Sequence, residues 1–319
     1  MIRPKFLALL AAVLALLWLV GGWFVSGPLP NDVEFAVREG QSFGQVAEQL
    51  QAAGAISSPL AFKLRARVLG GTAPIKAGRF LLPKGASQRM LVDILQGGKV
   101  IRRFVTVPEG MPSIMVQERL MAQPNLAGDI AVPPEGSILP DTYEIAMGES
   151  RAAVVLRMQA AMSRVVKELW AKRSPNTVAE TPAEAVVLAS IVEKETGKPA
   201  ERAMVAGLYS NRLRKGMMLQ ADPTIIYPIT KGKPLGRRIR QSEIAAVNGY
   251  NTYAMIGLPS GPITNPGRAS IEAVLNPAAT DALYMVADGT GGHAFAATLD
   301  EHNRNVSRWF AIRRARGEL

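Results

Sequence analysis

The chain has 319 residues, of which 48% are hydrophobic and 20% charged, with a formal net charge of +11. That length and balance fit a folded protein of one or two domains and exclude a largely disordered chain. There is no cysteine, so no disulfide forms, and the two histidines, His293 and His302, argue against a zinc or copper site. We therefore expect no metal and no other cofactor, and any acid–base chemistry should fall to carboxylates.

The basic charge leaves two interpretations open. A positive surface favours polyanions or anionic membranes as partners, but the lysines and arginines are spread along the chain, as on an ordinary solvated surface. The densest basic runs, at 231–240 and 308–316, show no zinc-finger spacing and no aromatic-glycine motif of the RNA-binding type. We therefore expect no nucleic-acid partner.

Residues 6–25 contain no charge, and about 20 helical residues span a hydrocarbon core roughly 30 Å thick. Arg3 and Lys5 precede this run, so the positive-inside rule places residues 1–5 in the cytoplasm and the rest of the chain outside. A cleavable signal peptide is the alternative, but the run is long for one and no clear cleavage site follows it. We expect a single-pass anchor over 6–25, with Trp23 near a membrane interface.

Residues 26–32 form a predicted Pro/Gly linker before a first small domain at 33–101. Alternation at Val33, Phe35 and Val37 predicts a strand, and a turn at Gly40 leads into a helix. A second helix should start near Pro59, a strand-like run covers 75–83, and a helix follows over 87–98 with Ser87 as its N-cap.

The runs GQSFGQVAEQL (40–50) and AGRF (77–80) resemble a LysM-like module. That resemblance implies binding to glycans rich in N-acetylated sugars, as in a cell wall. The same pattern also fits a plain structural module, and both interpretations stay open.

A second domain is predicted over 102–319. A strand and turn open it, a helix begins at Ser113, and a long amphipathic helix covers about 151–172. Together with the first domain this predicts an α+β fold in which the second domain has mixed helices and strands.

One helix of this domain ends in two acids. Thr181 as N-cap, Pro182 at the first helical position and Glu184 in a capping box predict a helix from Pro182 to about 196. Its residues 185–192 are apolar on every side, so the helix should be buried and should bring Glu193 or Glu195 to the edge of a core. Burial raises the pKa of a carboxyl and favours a general acid, but a helix that simply surfaces there would leave both acids solvated.

Several motifs then resemble the endolytic murein transglycosylase family, also called YceG-like. The runs are PDTY (140–143), LASIVEKET (188–196), YSNRLRKGMMLQADPTIIY (209–227), YNTYAMIGLPSGPITNPG (250–267) and YMVADGTGGHAF (284–295). The resemblance implies cleavage of peptidoglycan glycan strands between N-acetylmuramic acid and N-acetylglucosamine, leaving 1,6-anhydro ends. It places the catalytic glutamate on Glu193 and ranks Glu195 as a supporting residue.

The remaining site candidates are polar or aromatic groups in turn-forming segments that suit hydrogen bonding or stacking on sugars. They are Gln220, Asp222, Tyr250, Asn251 and Tyr253. Taken singly, each is better explained as a structural turn residue, and it is the resemblance that makes them candidate groove residues. His293 is expected in a hairpin loop.

The resemblance also implies a biological setting: release of nascent strands beside the inner membrane, with penicillin-binding synthases as partners. A non-catalytic tether that binds peptidoglycan is an alternative. So is a hydrolytic glycosidase, for which Asp222 would be the second carboxylate. A pyridoxal-dependent lyase has little support, because no lysine lies in a recognisable cofactor-binding motif.

Overall fold

The structure is a computed structural model and describes residues 4–70 and 73–318, with the side chains of residues 4, 5, 7 and 8 outside the description. The chain divides into two compact units, Met1–Arg103 and Phe104–Leu319, where the sequence predicted a boundary after residue 101. Helices and strands occur in both units, which confirms the α+β prediction.

The first unit follows the predicted order of strand, helix, helix, strand and helix, preceded by a long helix. Its elements are α1 (Pro4–Phe24), β1 (Val33–Val37), α2 (Phe43–Ala52), α3 (Pro59–Leu69), β2 (Gly78–Leu82) and α4 (Gln88–Gly97). β1 and β2 are antiparallel, with Phe35 opposite Phe80, and both rings lie in the core of the unit. The Ser42 and Ser87 side chains cap α2 and α4, as their positions before the apolar runs favour.

Within the described residues, no helix is both long and apolar enough to cross a membrane, so the single-pass anchor predicted over 6–25 is not supported. Two tryptophans near the end of α1 contact other parts of the first unit. Trp23 is buried in the core of the first unit, not at a membrane interface. The Arg65 guanidinium lies 4.1 Å from the Trp18 ring centroid and donates to the Trp18 carbonyl. The predicted cytoplasmic segment 1–5 falls largely outside the described residues.

The predicted linker 26–32 is part of the first unit. Leu29 is 2% exposed and belongs to its core, and the Leu29 carbonyl accepts a hydrogen bond from the Gly85 amide. The Ser26 hydroxyl donates to the Gly85 carbonyl at 2.9 Å. This Pro/Gly segment therefore runs along the unit, held by backbone hydrogen bonds, and is not a free connection.

The second unit combines two-stranded sheets with a helical core. Its strands are β3 (Arg103–Thr106), β4 (Leu126–Ala127), β5 (Thr142–Ile145), β6 (Glu149–Ser150), β7 (Tyr284–Ala287) and β8 (His293–Ala296). β3 pairs with β5, β4 lies parallel to β6, and β7 and β8 form an antiparallel hairpin. Its helices are α5 (Ser113–Met121), α6 (Arg151–Ala171), α7 (Pro182–Glu195), α8 (Arg202–Arg214), α9 (Asp222–Thr230), α10 (Gln241–Ile244), α11 (Arg268–Leu275) and α12 (Leu299–Ala315).

Helix α7 is the centre of the helical core. It contacts α6, α8, α9 and α11, and its residues 187–192 are all buried. A helix that is apolar on every side needs such a surround, which explains why α7 lies in the middle of the unit. Its acidic C-terminal end is thereby held where several elements meet.

A buried asparagine ties the first part of the second unit to the segment that follows α10. The Asn265 side chain donates to the Met111 carbonyl at 2.9 Å and accepts from the Ile138 amide at 3.0 Å. Because a buried amide left without partners is costly, these bonds fix the segments around Met111 and Ile138 relative to the segment before α11.

Candidate active site

Capping residues define both ends of α7. The Thr181 hydroxyl accepts from the Glu184 amide, as predicted, but the Glu184 carboxylate accepts from the Glu180 amide, so the capping box is shifted by one residue. The helix ends at Glu195, with Thr196 as the extended C-cap, close to the predicted end at about residue 196. Glu193 and Glu195 are two positions apart, which on a helix is a rotation of about 200°, so their side chains point into different surroundings.

Glu193 is clamped between neighbouring elements. One carboxylate oxygen, Oε2, accepts from the Gly267 amide at 2.9 Å, and Oε1 lies 3.7 Å from a nitrogen of Arg202, with 5% of the Glu193 side chain exposed. Arg202 also pairs with Glu109 at 3.1 Å. A Cβ at Gly267 would lie 2.0 Å from the Glu109 carboxylate, so any other residue there would displace the Glu109 side chain. Glu193 therefore joins α7 to the starts of α8 and α11.

Glu195 faces a polar cavity of about 370 Å³, in the size range of small-molecule sites. Burial of the carboxyl, followed by the negative charge of Asp222, raises the pKa of Glu195 to about 7. A hydrogen bond from Tyr209 and the positive charge of Arg212 act in the opposite direction and are outweighed. Glu195 therefore exchanges a proton near neutral pH, which is the property of a general acid or base.

A second carboxylate, that of Asp222, lines the same cavity. Asp222 begins α9 and accepts a hydrogen bond from the Tyr253 hydroxyl at 2.7 Å. Burial and the hydrogen bond to Asp222 raise the pKa of Tyr253, so this phenol keeps its proton and remains a donor.

Gln220 lines the same cavity in a strained backbone conformation. Its φ of 54° is left-handed, which a residue with a side chain seldom adopts. The Gln220 amide donates to the Thr252 carbonyl at 3.1 Å, and this tie holds the turn that leads into Asp222. Strain of this kind, kept by the surrounding hydrogen bonds, is common at functional sites.

Two cavity residues were not among the sequence candidates. Tyr209 is 2% exposed, and burial raises its pKa. Arg212 is buried and donates to the Leu283 and Leu219 carbonyls at 2.7 and 2.8 Å, so it joins β7 to the turn before α9. The signal was available: a tyrosine and an arginine three residues apart share one face of α8, and a buried arginine needs partners.

Tyr250 and Asn251 do not line the cavity. The Asn251 side chain is fully buried, donates to the Ala246 carbonyl at 2.7 Å and accepts from the Tyr253 amide at 3.0 Å. Tyr250 packs on Tyr227 with ring centroids 4.8 Å apart. Both residues therefore support the loop that presents Tyr253.

Of the candidates from the sequence, the structure gathers Glu195, Gln220, Asp222 and Tyr253 around one cavity. Glu193 does not line it. His293 begins β8, directly after the hairpin loop in which it was expected, and its Nδ1 lies 2.9 Å from a Glu201 oxygen. Among the described residues, no group of three or more acids and histidines is placed to hold a metal ion.

The YceG-like family model matches residues 35–308. A relative from Streptococcus pneumoniae, named endolytic murein transglycosylase, is 28% identical over 362 residues, covering 95% of this chain and 63% of that protein. This chain thus spans less than two thirds of that relative. A protein of the same name from Bacillus subtilis is 25% identical, covering 92% of this chain and 91% of that protein.

A solved structure has the same fold. The crystal structure of a yceG-like protein from Listeria monocytogenes superposes with a TM-score of 0.54 at 25% identity, covering 86% of this chain and 98% of the other.

Proposed function

Because the chain belongs to the YceG-like family, we propose that it is a lytic transglycosylase that cleaves murein glycan strands and leaves 1,6-anhydro ends. The observation that carries this proposal is Glu195, a carboxyl with a pKa of about 7 in a polar cavity. The relatives named endolytic murein transglycosylase support the choice of substrate. Cleavage falls between N-acetylmuramic acid and N-acetylglucosamine.

The first step is proton donation. At neutral pH a large fraction of Glu195 is protonated, so it gives its proton to the glycosidic oxygen as the bond from that oxygen to the muramyl C1 breaks. Positive charge then develops at C1 in an oxocarbenium-like transition state. The Asp222 carboxylate, oriented by Tyr253, stabilises that charge from the cavity wall.

The second step uses the sugar's own hydroxyl. The Glu195 carboxylate takes the proton of the muramyl 6-hydroxyl, whose oxygen bonds to C1 and closes the 1,6-anhydro ring. The proton balance is zero, no water is consumed, and Glu195 is ready for another cycle. One acid that titrates near pH 7 suffices for both roles, because it must be a good donor first and a good acceptor afterwards.

This assignment differs from the expectation that the catalytic glutamate is Glu193. Both Glu193 oxygens already have partners, the Gly267 amide and Arg202, so a substrate would have to displace them. We assign Glu193 the role of a positioning residue that fixes the end of α7, and Glu195 the role of the acid.

The finer parts of the function rest on sequence features. The resemblance of the motifs supports three of these parts: release of nascent strands, a location outside the cytoplasm, and penicillin-binding synthases as partners. Membrane attachment has only the uncharged run 6–25 in its favour. Glycan binding by the LysM-like first unit is supported by its order of strand, helix, helix and strand.

The test is to incubate the 319-residue protein with purified murein and to measure the masses of the released fragments. We expect 1,6-anhydromuramyl ends from the wild type and none from Glu195→Gln. Fragments heavier by one water would instead indicate hydrolysis with Asp222 as the second carboxylate. Murein that stays intact but sediments with the protein would indicate the non-catalytic tether.

A further inference from the structure

A second cavity adjoins the Glu195 cavity. It has a volume of about 400 Å³, and Lys194 and Pro223 line both cavities. Lys194 lies between the two acids on α7, and Pro223 follows Asp222 on α9. A ligand that occupies the Glu195 cavity can therefore extend past these two residues into the second cavity.

The second cavity differs from the first in chemistry. Its walls include the apolar side chains of Met111, Met115, Ile226 and Ile263. Sugar rings carry hydroxyl groups on most carbons, and burying those hydroxyls against side chains that form no hydrogen bonds is costly. The second cavity is therefore poorly suited to another sugar and well suited to small apolar groups.

Three charged residues, Glu109, Lys194 and Lys233, also line the second cavity. Lys233 pairs with Glu118, and Glu109 pairs with Arg202. Lys194 is exposed, and its side chain forms no hydrogen bond or ion pair within the part of the chain that the structure describes. Its ammonium group is therefore available to an anionic substituent of a ligand that crosses from one cavity to the other.

Murein has a component that combines these properties. Each N-acetylmuramic acid can carry a short peptide on its lactyl group, with alanyl methyl groups and free carboxylates. We propose that the second cavity binds the stem peptide of the muramyl residue at the scissile bond, with a peptide carboxylate on Lys194. The inference rests on the proposed function and makes the enzyme selective for peptide-bearing strands.

The experiment compares two substrates: murein strands with their peptides, and the same strands after an amidase has removed the peptides. Burying about two methylene groups corresponds to roughly a tenfold gain in binding. We therefore expect the wild type to cleave peptide-bearing strands with a kcat/KM about tenfold higher than that for stripped strands.

Variants on α9 test whether the second cavity causes the preference for peptide-bearing strands. Ile226→Trp fills the cavity and Ile226→Ala removes part of its wall, so both should bring the ratio of the two kcat/KM values close to one. Ile229 lies on the same helix but is exposed and outside the cavity, so Ile229→Trp is the matched control and should keep the wild-type ratio. Thermal unfolding of each variant shows whether it is folded, and the paired Ile226 changes ensure that one folding failure does not end the test.

Equal cleavage of both substrates by the wild type would overturn the inference and leave the proposed function standing. A wild-type ratio retained in both folded Ile226 variants would also overturn it, because the peptide would then bind elsewhere. Cleavage of neither substrate would refute the proposed function, and the inference with it.

Discussion

The raised pKa of Glu195 has a consequence for stability that does not depend on catalysis. Replacement of Glu195 by Gln keeps the shape of the side chain and an oxygen that can accept from Tyr209, but removes the ionisable proton. A rise of the pKa from 4.5 to about 7 corresponds to about 3.5 kcal/mol at about 1.4 kcal/mol per pKa unit.

The direction in which the free energy of unfolding changes with pH follows from proton binding. Between pH 4.5 and 7 the folded protein keeps a proton that the unfolded chain has lost, so the contribution of Glu195 to the free energy of unfolding falls as pH rises. Above pH 7 the carboxyl is ionised in both states and the full cost of burying the charge remains. Glu195→Gln should therefore gain stability relative to the wild type on going from pH 5 to pH 8.5, by about 2 kcal/mol after allowance for the partial exposure of Glu195.

The assay is urea unfolding of wild type and Glu195→Gln at both pH values. Glu193→Gln is the matched control, because it changes the same charge two residues away. It breaks the contact with Arg202 and should lower the free energy of unfolding at both pH values, by about 1–3 kcal/mol. If the stability difference between Glu195→Gln and the wild type were the same at pH 5 and pH 8.5, the raised pKa of Glu195 would be refuted.

Two further substitutions examine the surroundings of Glu195. Because the charge of Asp222 helps to raise the pKa of Glu195, Asp222→Asn should shift the alkaline limb of the kcat/KM profile to lower pH and reduce its maximum; a profile that keeps its wild-type midpoint would show that Asp222 does not act on Glu195. Asn251→Ala removes a fully buried side chain and leaves the partly buried carbonyls of Ile244 and Ala246 without their donor. It should lower the free energy of unfolding measured in urea by about 1–3 kcal/mol, and unchanged stability would contradict the supporting role of Asn251.

The local structure around α7 was predictable because its signals are local. Thr181 and Pro182 set the start of the helix, and the apolar residues at 185–192 predict its burial. Helical periodicity also shows that Glu193 and Glu195 point in different directions. It cannot show what each acid meets, because their partners come from elsewhere in the chain.

Those partners lie at larger separations in sequence. Asp222 reaches Glu195 from α9, and Tyr209 reaches it from α8, whereas Glu193 meets the Gly267 amide, 74 positions away. The same limit applies to Trp23, whose apolar neighbours in sequence predicted a membrane interface but whose contacts lie in the core of the first unit. The composition of a segment shows that it is apolar, but it does not show which apolar surface the segment packs against.

The measurement that bears most directly on the central claim compares the products of wild type, Glu193→Gln and Glu195→Gln acting on the same murein at pH 6. Glu195 as the general acid predicts anhydromuramyl ends from the wild type, a reduced yield of the same ends from folded Glu193→Gln, and none from folded Glu195→Gln. Anhydromuramyl ends from Glu195→Gln, together with their absence from a folded Glu193→Gln, would contradict it and assign the chemistry to Glu193.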